Sequence, residues 1–538
     1  MIRKSNSKRT RKVSRIRKKS KKVSGKRRNS KRSRTMKGGE QDLDSIIQSL
    51  RSNASNLHEL NIYKEYIGPE KAKELEEALK GNTVLTKLVL NLNNYIPDKD
   101  ISVKGDDLAK AMANVLQENK VLKVLNIGMN KVGEIGGQSI GKALMNNNTL
   151  KELNLFNNNL GKKSGNAIGK SLASNKILTE LNLSKNNLGK GGATAIANAL
   201  GTNSALTGLN LDTNNIGKEG SIKIANALKK NSSLVTLSIG SNNLRKEGSM
   251  AIASSLERNK TLTNLNLEDN RVGEDGVTSI ANMLKNNTTL RTLGLNENNL
   301  GVKGCTAIAN SLMKNAIVET LDISRNNLGE GGATEIANML KKNKTLRKLG
   351  LRFNSLGENG ATAIADALKI NRSLITLDLD RNRFGENGGI AIAGALINNN
   401  SLTELNLYWN NFGEVGSSAI GESLAKNRSL TTLNLRNNNM GNGGCIAIGK
   451  SCKKNKSLKT LNLSDNGIGD NGAISIAEAL KTNATLTSLN LGWNIIEGTG
   501  GKAIVNALKK NRSLNELNLS MNSIPSNILD QINKILNQ

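Results

Sequence analysis

Apolar residues recur along most of this chain in one spacing, Leu-x-x-Leu-x-Leu-x-x-Asn. The closing asparagine returns every 28 residues from Asn130 to Asn522, which gives fifteen copies in strict register. Two earlier copies close at Asn93 and, imperfectly, at Glu65, so the pattern predicts about seventeen repeats. In one copy the four defining positions are Leu178, Leu181, Leu183 and Asn186.

Each repeat combines two hydrophobic periods. Leu181 and Leu183 alternate as in a short strand with one buried face. The segment 192–200 has the spacing of a short helix, with its leucine, isoleucine and alanines on one side. A second asparagine stands eleven residues before each closing position, from Asn82 to Asn511. We expect it to follow the helix in a left-handed conformation and to cap exposed carbonyls.

A single repeat cannot fold alone. Its roughly five large apolar side chains contribute about 7–15 kcal/mol on burial, whereas ordering its backbone costs roughly 28–56 kcal/mol. Neighbouring copies must therefore stack, which predicts an α/β solenoid over 57–524. Amphipathic segments within 40–56 and 525–538 are predicted to be helical caps. The longer step from Asn93 to Asn130 places an inserted loop near 94–102.

Positive charge divides the chain into two parts. Of the net charge of +33, residues 1–39 carry 19 Lys and Arg with no acidic residue. This segment has almost no apolar residues, so we expect a disordered tail. Its basic runs are typical of nuclear import or of binding to a phosphate backbone. The candidate polyanion-binding residues are Arg15, Arg17, Lys18, Lys19, Lys21, Lys22, Lys26, Arg27 and Arg28.

The segment from Leu178, Leu-Thr-Glu-Leu-Asn-Leu-Ser-Lys-Asn-Asn-Leu-Gly-Lys-Gly-Gly-Ala-Thr-Ala-Ile-Ala-Asn-Ala-Leu, resembles the ribonuclease-inhibitor type of leucine-rich repeat. Similar repeats occur in NOD-like receptors and in Ran GTPase-activating proteins. The resemblance implies a horseshoe with parallel strands on its concave face and helices on its convex face. It specifies the fold far better than the function, because this fold binds many kinds of partner.

The side chains needed for catalysis or metal binding are sparse. His58 is the only histidine, and Cys305, Cys445 and Cys452 have no metal-ligand spacing. Asp378 and Asp380 form a pair that we expect to stay solvated on an open strand face. We therefore predict a protein that is not an enzyme and that needs no metal or cofactor.

The segment 444–451 matches a phosphate-binding loop, G-x-x-x-x-G-K-S. That motif functions only as a loop between a strand and a helix. Here it aligns with the helix of the repeat, so we interpret it as a structural match. No apolar stretch has the length of a membrane span, and we expect an intracellular protein, cytoplasmic or nuclear, that is monomeric.

The two residues that immediately precede each closing asparagine vary most along the array. Their side chains are predicted to face the concavity. Between the repeats that close at Asn354 and Asn494 they collect aromatic residues and arginines, which are typical of interfaces. The candidate partner-binding residues are Arg352, Phe353, Arg381, Tyr408, Trp409, Arg436 and Trp493. The alternative is that the aromatic residues pack at the strand edge.

These observations favour a scaffold that binds a protein in its concave face and uses its tail for nuclear targeting or nonspecific nucleic-acid binding. An anionic membrane or a solubilising role remains an alternative for the tail. Two other functions stay open through the resemblance: regulation of a small GTPase, and an innate sensor without its signalling domains. The Ran-activating family carries an acidic C-terminal extension, whereas Asp530 is the only late acidic residue here.

Overall fold

A computed structural model describes residues 33–37, 43–63, 67–91 and 105–537. Within these ranges 18 strands alternate with 18 helices. The strands are β1 Ser33–Lys37, β2 Glu59–Tyr63, β3 Lys87–Asn91, β4 Val124–Asn126, β5 Glu152–Asn154, β6 Glu180–Asn182, β7 Gly208–Asn210, β8 Thr236–Ser238, β9 Asn264–Asn266, β10 Thr292–Gly294, β11 Thr320–Asp322, β12 Lys348–Gly350, β13 Thr376–Asp378, β14 Glu404–Asn406, β15 Thr432–Asn434, β16 Thr460–Asn462, β17 Ser488–Asn490 and β18 Glu516–Asn518. The helices are α1 Leu43–Arg51, α2 Pro69–Lys80, α3 Asp106–Glu118, α4 Glu134–Asn146, α5 Gly161–Ser174, α6 Gly189–Leu200, α7 Gly217–Leu228, α8 Arg245–Leu256, α9 Gly273–Leu284, α10 Gly301–Leu312, α11 Gly329–Lys342, α12 Gly357–Ile370, α13 Gly385–Leu396, α14 Gly413–Leu424, α15 Gly441–Cys452, α16 Asp470–Leu480, α17 Gly498–Leu508 and α18 Ser526–Leu536.

The strands form one parallel sheet in which each strand pairs with the next along the chain. From β4 to β18 the register advances by one repeat at each step, as in Glu180 opposite Gly208. Consecutive helices pack against one another on one side of this sheet. The predicted α/β solenoid is confirmed.

Repeated apolar positions form the core between the sheet and the helices. Leu181 and Leu183 from the strand region are buried, as are Ile196 and Leu200 from α6. Neighbouring strands lie about 4.8 Å apart, whereas packed helices lie about 8–10 Å apart. The sheet must therefore occupy the inner, concave side of the array, and its outward-facing side chains face that concavity.

The closing asparagine joins each repeat to the one before it. Asn186 is fully buried, and its Nδ2 donates to Leu155 O of the preceding repeat at 2.8 Å and to Leu183 O at 2.9 Å. Its Oδ1 accepts the backbone N–H of Asn158 at 3.2 Å. A short side chain with both a donor and an acceptor is required here, because the strand is too short to satisfy these backbone groups alone.

The second asparagine also caps carbonyls, but its backbone is not left-handed, contrary to our prediction. Asn175 has φ −69° and ψ 124°, an extended conformation. Its Nδ2 donates to Leu144 O in the last turn of the neighbouring α4 at 2.8 Å. Its Oδ1 accepts the backbone N–H of Leu178 at 2.8 Å. The extended backbone directs the amide toward the preceding helix, which a left-handed turn would not do.

The two ends of the array differ in how they are covered. Helix α1 buries Leu43, Ile46, Ile47 and Leu50, and α18 buries Ile528 and Ile532. Strand β1 pairs in parallel with β2, so residues 33–37, which we expected within a disordered tail, extend the sheet instead. Strand pairing uses backbone groups of an exposed edge and does not need apolar composition.

Several predictions fall outside the described residues. They are the disorder of residues 1–32, the inserted loop near 94–102, the closing positions Glu65 and Asn93, and the nine candidate polyanion-binding residues from Arg15 to Arg28.

Candidate partner-binding face

Six of the seven candidate residues follow closely after four neighbouring strands, β12 to β15. Because the register advances by 28 residues, Arg352, Asp380, Tyr408 and Arg436 form one row across the sheet. Residues 353, 381 and 409 form a second row beside it. Side chains in one row are separated by about 4.8 Å of strand spacing, so each one contacts residues from the neighbouring repeats.

Arg381 lies at the centre of this group and contacts three aromatic rings. Its guanidinium carbon lies 4.5 Å from the ring centre of Trp409, 5.2 Å from that of Tyr408 and 6.0 Å from that of Phe353. Its Nη2 lies 3.2 Å from Tyr408 Oη, within hydrogen-bond distance. Cation–π contacts of this kind contribute about 0.5–2 kcal/mol each, so the guanidinium holds the three rings in place.

Cations and rings alternate beyond this centre. The Arg325 guanidinium lies 5.3 Å from the ring centre of Phe353, and that of Arg436 lies 5.4 Å from the ring centre of Tyr408. The rings of Tyr408 and Trp409 meet edge to face, with their centres 5.8 Å apart. We call residues 325, 352, 353, 380, 381, 408, 409 and 436 the Arg–aromatic cluster.

Three aromatic side chains of this face are exposed to solvent, and Tyr408 is partly buried. Phe353 and Trp409 are each 49% exposed, and Trp493 is 56% exposed. Their backbone φ angles are 57°, 55° and 58°, in the left-handed region that disfavours bulky side chains by about 1–2 kcal/mol. The residue before the closing asparagine is left-handed in all fifteen repeats that close from Asn130 to Asn522, as at Lys185 and Asn437, so this conformation belongs to the repeat and does not mark the site.

Asp380 is buried beneath the arginines, which corrects our expectation that it stays solvated. It is 4% exposed, and its Oδ2 lies 3.0 Å from Arg352 Nε while its Oδ1 lies 3.7 Å from Arg381 Nε. Desolvation raises the pKa of this carboxyl to about 6, although Arg352 opposes the shift. Side chains from two neighbouring repeats exclude the water that an isolated strand would admit.

Not all buried polar atoms in the cluster are satisfied. Within the described part of the chain, Asp380 Oδ1 accepts no hydrogen bond, and the Nε atoms of Arg381 and Arg436 donate none. Arg352 Nε lies 3.0 Å from Asp380 Oδ2 as an ion pair. An unsatisfied buried polar atom costs about 1–3 kcal/mol. These atoms are enclosed by the cluster itself, so this cost lowers the stability of the folded chain.

A family model described as Leucine Rich repeat matches thirteen segments, which together make up more than half of the 538 residues. The matched residues are 118–141, 146–169, 174–197, 230–253, 258–281, 286–309, 314–337, 342–365, 371–393, 398–421, 426–449, 454–477 and 482–505. The chain belongs to the leucine-rich-repeat family. The match does not separate subtypes, so the ribonuclease-inhibitor type stays a prediction.

Three solved structures are similar to this leucine-rich-repeat chain. One is leiomodin-1 actin-binding site 2, at 24% identity over 28% of this chain and 88% of that chain, with a TM-score of 0.26. Another is the complex of Rad7 and Elc1 in yeast, at 16% identity over 72% and 89%, with a TM-score of 0.43. The third is a TLR13–ssRNA13 complex, at 18% identity over 88% and 61%, with a TM-score of 0.44. A search of curated proteins found no match.

The structure of this leucine-rich-repeat protein brings together six of the seven candidate residues and separates one. Trp493 follows β17, three strands beyond β14, whereas the other six lie in the Arg–aromatic cluster. Sequence reasoning missed Arg325 and Asp380. Both occupy the same two variable positions of the repeat as the candidates, so aligning those positions across neighbouring repeats was the signal that could have found them.

Features that suggested other chemistry have structural explanations. Residues 444–451 lie inside α15, where the helix uses the amides that a phosphate-binding loop would leave free. Cys305, Cys445 and Cys452 are buried free thiols, and burial raises the pKa of Cys305 to about 12. The described ranges contain no group of His, Cys, Asp or Glu that could hold a metal ion. None of their helices has the length and apolar character to cross a bilayer.

The buried carboxyl of Asp380 should make stability depend on pH. Since its folded pKa is raised to about 6 from an ordinary 3.8, its contribution is present below about pH 4 and is lost as pH rises through 6. Between pH 4.5 and 7.5, the stability of Asp380→Asn relative to the unsubstituted chain should rise by about 1–2 kcal/mol. Urea unfolding at both pH values measures this. A pH-independent difference between the two proteins would contradict it.

Proposed function

We propose that this chain is a protein-interaction scaffold that binds a partner protein through the strand face from β12 to β17. The observation that carries the proposal is the Arg–aromatic cluster, in which half-exposed aromatic side chains are held by arginines. Aromatic and arginine side chains dominate binding energy at protein interfaces. The proposed role of the basic tail is nuclear targeting or nonspecific binding of nucleic acid.

The solvent exposure of the rings favours this role over packing at the strand edge. A ring that served only to fill the core would be buried, as Phe384 and Phe412 are. Trp409 instead leaves about half of its surface free while Arg381 fixes its orientation at 4.5 Å. Preorganised aromatic side chains lose little conformational entropy on binding, so the partner gains affinity from surface that is already in position.

Capture with the full-length chain as bait tests the proposal. Substituting Tyr408, Trp409 and Trp493 together with Ala should weaken capture of the bound protein at least tenfold, because hot-spot side chains typically contribute about 2 kcal/mol or more each. The melting temperature should fall only slightly, since these side chains lie outside the core and the substitutions remove only their surface cation–π contacts. Quantitative mass spectrometry of captured proteins and a thermal melt provide the two measurements.

A matched control carries Ile135→Ala, Met250→Ala and Val415→Ala, which remove exposed apolar side chains from helices instead. This variant should capture the partner as the unsubstituted chain does. If the triple aromatic variant lost stability but kept its partner, the rings would be packing residues and the proposal would fail.

A further inference from the structure

The turns that lead from each helix to the next strand carry an uneven share of the positive charge. Each turn contains the second asparagine of its repeat, which stands eleven residues before the closing asparagine. The two residues before this asparagine and the one after it are the three positions of the turn that carry the charge. In the eight turns from Asn315 to Asn511, these 24 positions hold 15 Lys or Arg and no Asp or Glu. We call these 15 cations the basic ridge.

The fold places these cations in one line, which is interrupted at the turn around Asn399 because that turn has no Lys or Arg. Asn343 Nδ2 donates to Leu312 O, the last residue of α10, at 2.8 Å, and the same bond recurs one repeat later from Asn371 to Leu340. Each turn is thereby fixed against the turn before it. With steps between the strand spacing of about 4.8 Å and the helix spacing of about 10 Å, eight turns extend over roughly 35–70 Å.

Most of this charge is not neutralised within the chain. Lys369 pairs with Asp366 and Lys481 pairs with Glu478. Among the residues described, the other 13 ridge cations have no carboxylate partner within 4 Å. All of the ridge side chains except Lys481 belong to exposed residues. The ridge therefore presents a line of unpaired cations to solvent.

Helix stability alone does not explain this distribution. Lysine near a helix C-terminus is favourable for any helix, yet the turns around Asn147 and Asn203 in the earlier repeats, and the one around Asn399 in the later repeats, contain no Lys or Arg at all. The position after the asparagine lies beyond the helix, and it is still Lys or Arg in Lys344, Arg372 and Lys456. The charge is thus concentrated on the later repeats without a requirement from the fold.

We propose that the basic ridge binds the phosphate backbone of a nucleic acid without reading its base sequence. This site is separate from the tail and from the Arg–aromatic cluster. The ridge carries one cation per roughly 2–5 Å, which is similar to the spacing of about 3.4 Å between phosphates along one strand of a nucleic acid. Its 24 positions contain no aromatic residue, so base stacking and sequence recognition are not expected.

A linear polyanion fits the ridge better than a membrane does. Binding to an anionic bilayer favours cations beside a broad apolar surface that enters the interface. The ridge positions include only three large apolar residues, Met313, Ile370 and Ile397, in separate turns. The arginines at 372, 428 and 512 also donate to backbone carbonyls of their own turns, which holds their guanidinium groups along the line.

The test uses the full-length chain, tail included, with six ridge lysines substituted by Gln: Lys341, Lys342, Lys344, Lys453, Lys454 and Lys456. The matched control removes the same charge from exposed lysines elsewhere: Lys123, Lys151, Lys162, Lys190, Lys218 and Lys223. Fluorescence anisotropy measures binding to single-stranded and duplex oligonucleotides of two sequences at several salt concentrations. A thermal melt verifies that both variants remain folded.

We expect the ridge variant to bind at least tenfold more weakly near 150 mM salt. Its plot of log K against log salt should be shallower, with a slope smaller in magnitude by about two to four. The control should stay within about twofold of the unsubstituted chain, and the two sequences should bind alike. Equal weakening by both variants would overturn the proposal, because only net charge would then matter. So would loss of binding to phosphatidylserine vesicles by the ridge variant with its oligonucleotide affinity intact.

Discussion

Asn298→Ala is expected to lower the free energy of unfolding by about 3–6 kcal/mol. The Asn298 side chain is fully buried, and its Nδ2 donates to Leu267 O at 2.8 Å and to Asn296 O at 3.0 Å. Its Oδ1 accepts the backbone N–H of Asn270 at 2.9 Å. Alanine would remove the hydrogen bonds that the Asn298 side chain makes to these buried backbone groups. Each buried group left without a hydrogen bond costs about 1–3 kcal/mol.

Urea unfolding followed by circular dichroism measures this loss. Asn299→Gly is the matched control, because Asn299 is exposed and has φ 55°, which glycine adopts without strain. The control should change stability by less than about 1 kcal/mol. Equal effects of the two substitutions would mean that the buried asparagines do not hold the repeats together.

Gly169→Ala is expected to destabilise the chain by about 3 kcal/mol, because α5 and α6 approach closely at this residue. A methyl group on Gly169 would lie 2.6 Å from the carbonyl carbon of Ala195 and 2.9 Å from the backbone nitrogen of Ile196. Backbone atoms of a packed helix cannot move aside as a flexible side chain can. The two helices would have to separate, which would weaken the core beneath them.

Gly394→Ala should instead raise the free energy of unfolding. Nothing lies within 4 Å of the added methyl group there, and alanine favours a helix over glycine by about 0.5–1 kcal/mol. Thermal unfolding of the two variants side by side compares the same chemical change in two environments. A stabilised Gly169→Ala variant would show that α5 and α6 do not pack as closely as described.

The sequence predicted the fold well because every repeat supports the same interpretation. Leu181 and Leu183 alternate as a strand, and residues 192–200 have helical spacing, so one error could not change the whole assignment. The backbone of the second asparagine was predicted wrongly, because Asn is common both in left-handed caps and in extended turns. Its actual hydrogen bond runs to the preceding helix, which a single repeat does not contain.

The sequence predicted most of the residues that form the candidate site, but it did not predict which of their side chains are buried. Repeat alignment identified Arg381 and Trp409 as neighbours across the sheet. It could not reveal that Arg352 and Arg381 cover Asp380, because that depends on where long side chains lie after the strands are paired. The strand at 33–37 was also beyond prediction, since pairing at a sheet edge leaves no pattern in side-chain polarity.

Photo-crosslinking tests the central claim, that the strand face around the Arg–aromatic cluster binds the partner. The full-length chain carries p-benzoylphenylalanine in place of Phe353, and a control carries it in place of Ile135, which is 57% exposed on α4. After irradiation with the captured partner, mass spectrometry should find the crosslink from position 353 and none from position 135. A crosslink from position 135 alone would contradict the account.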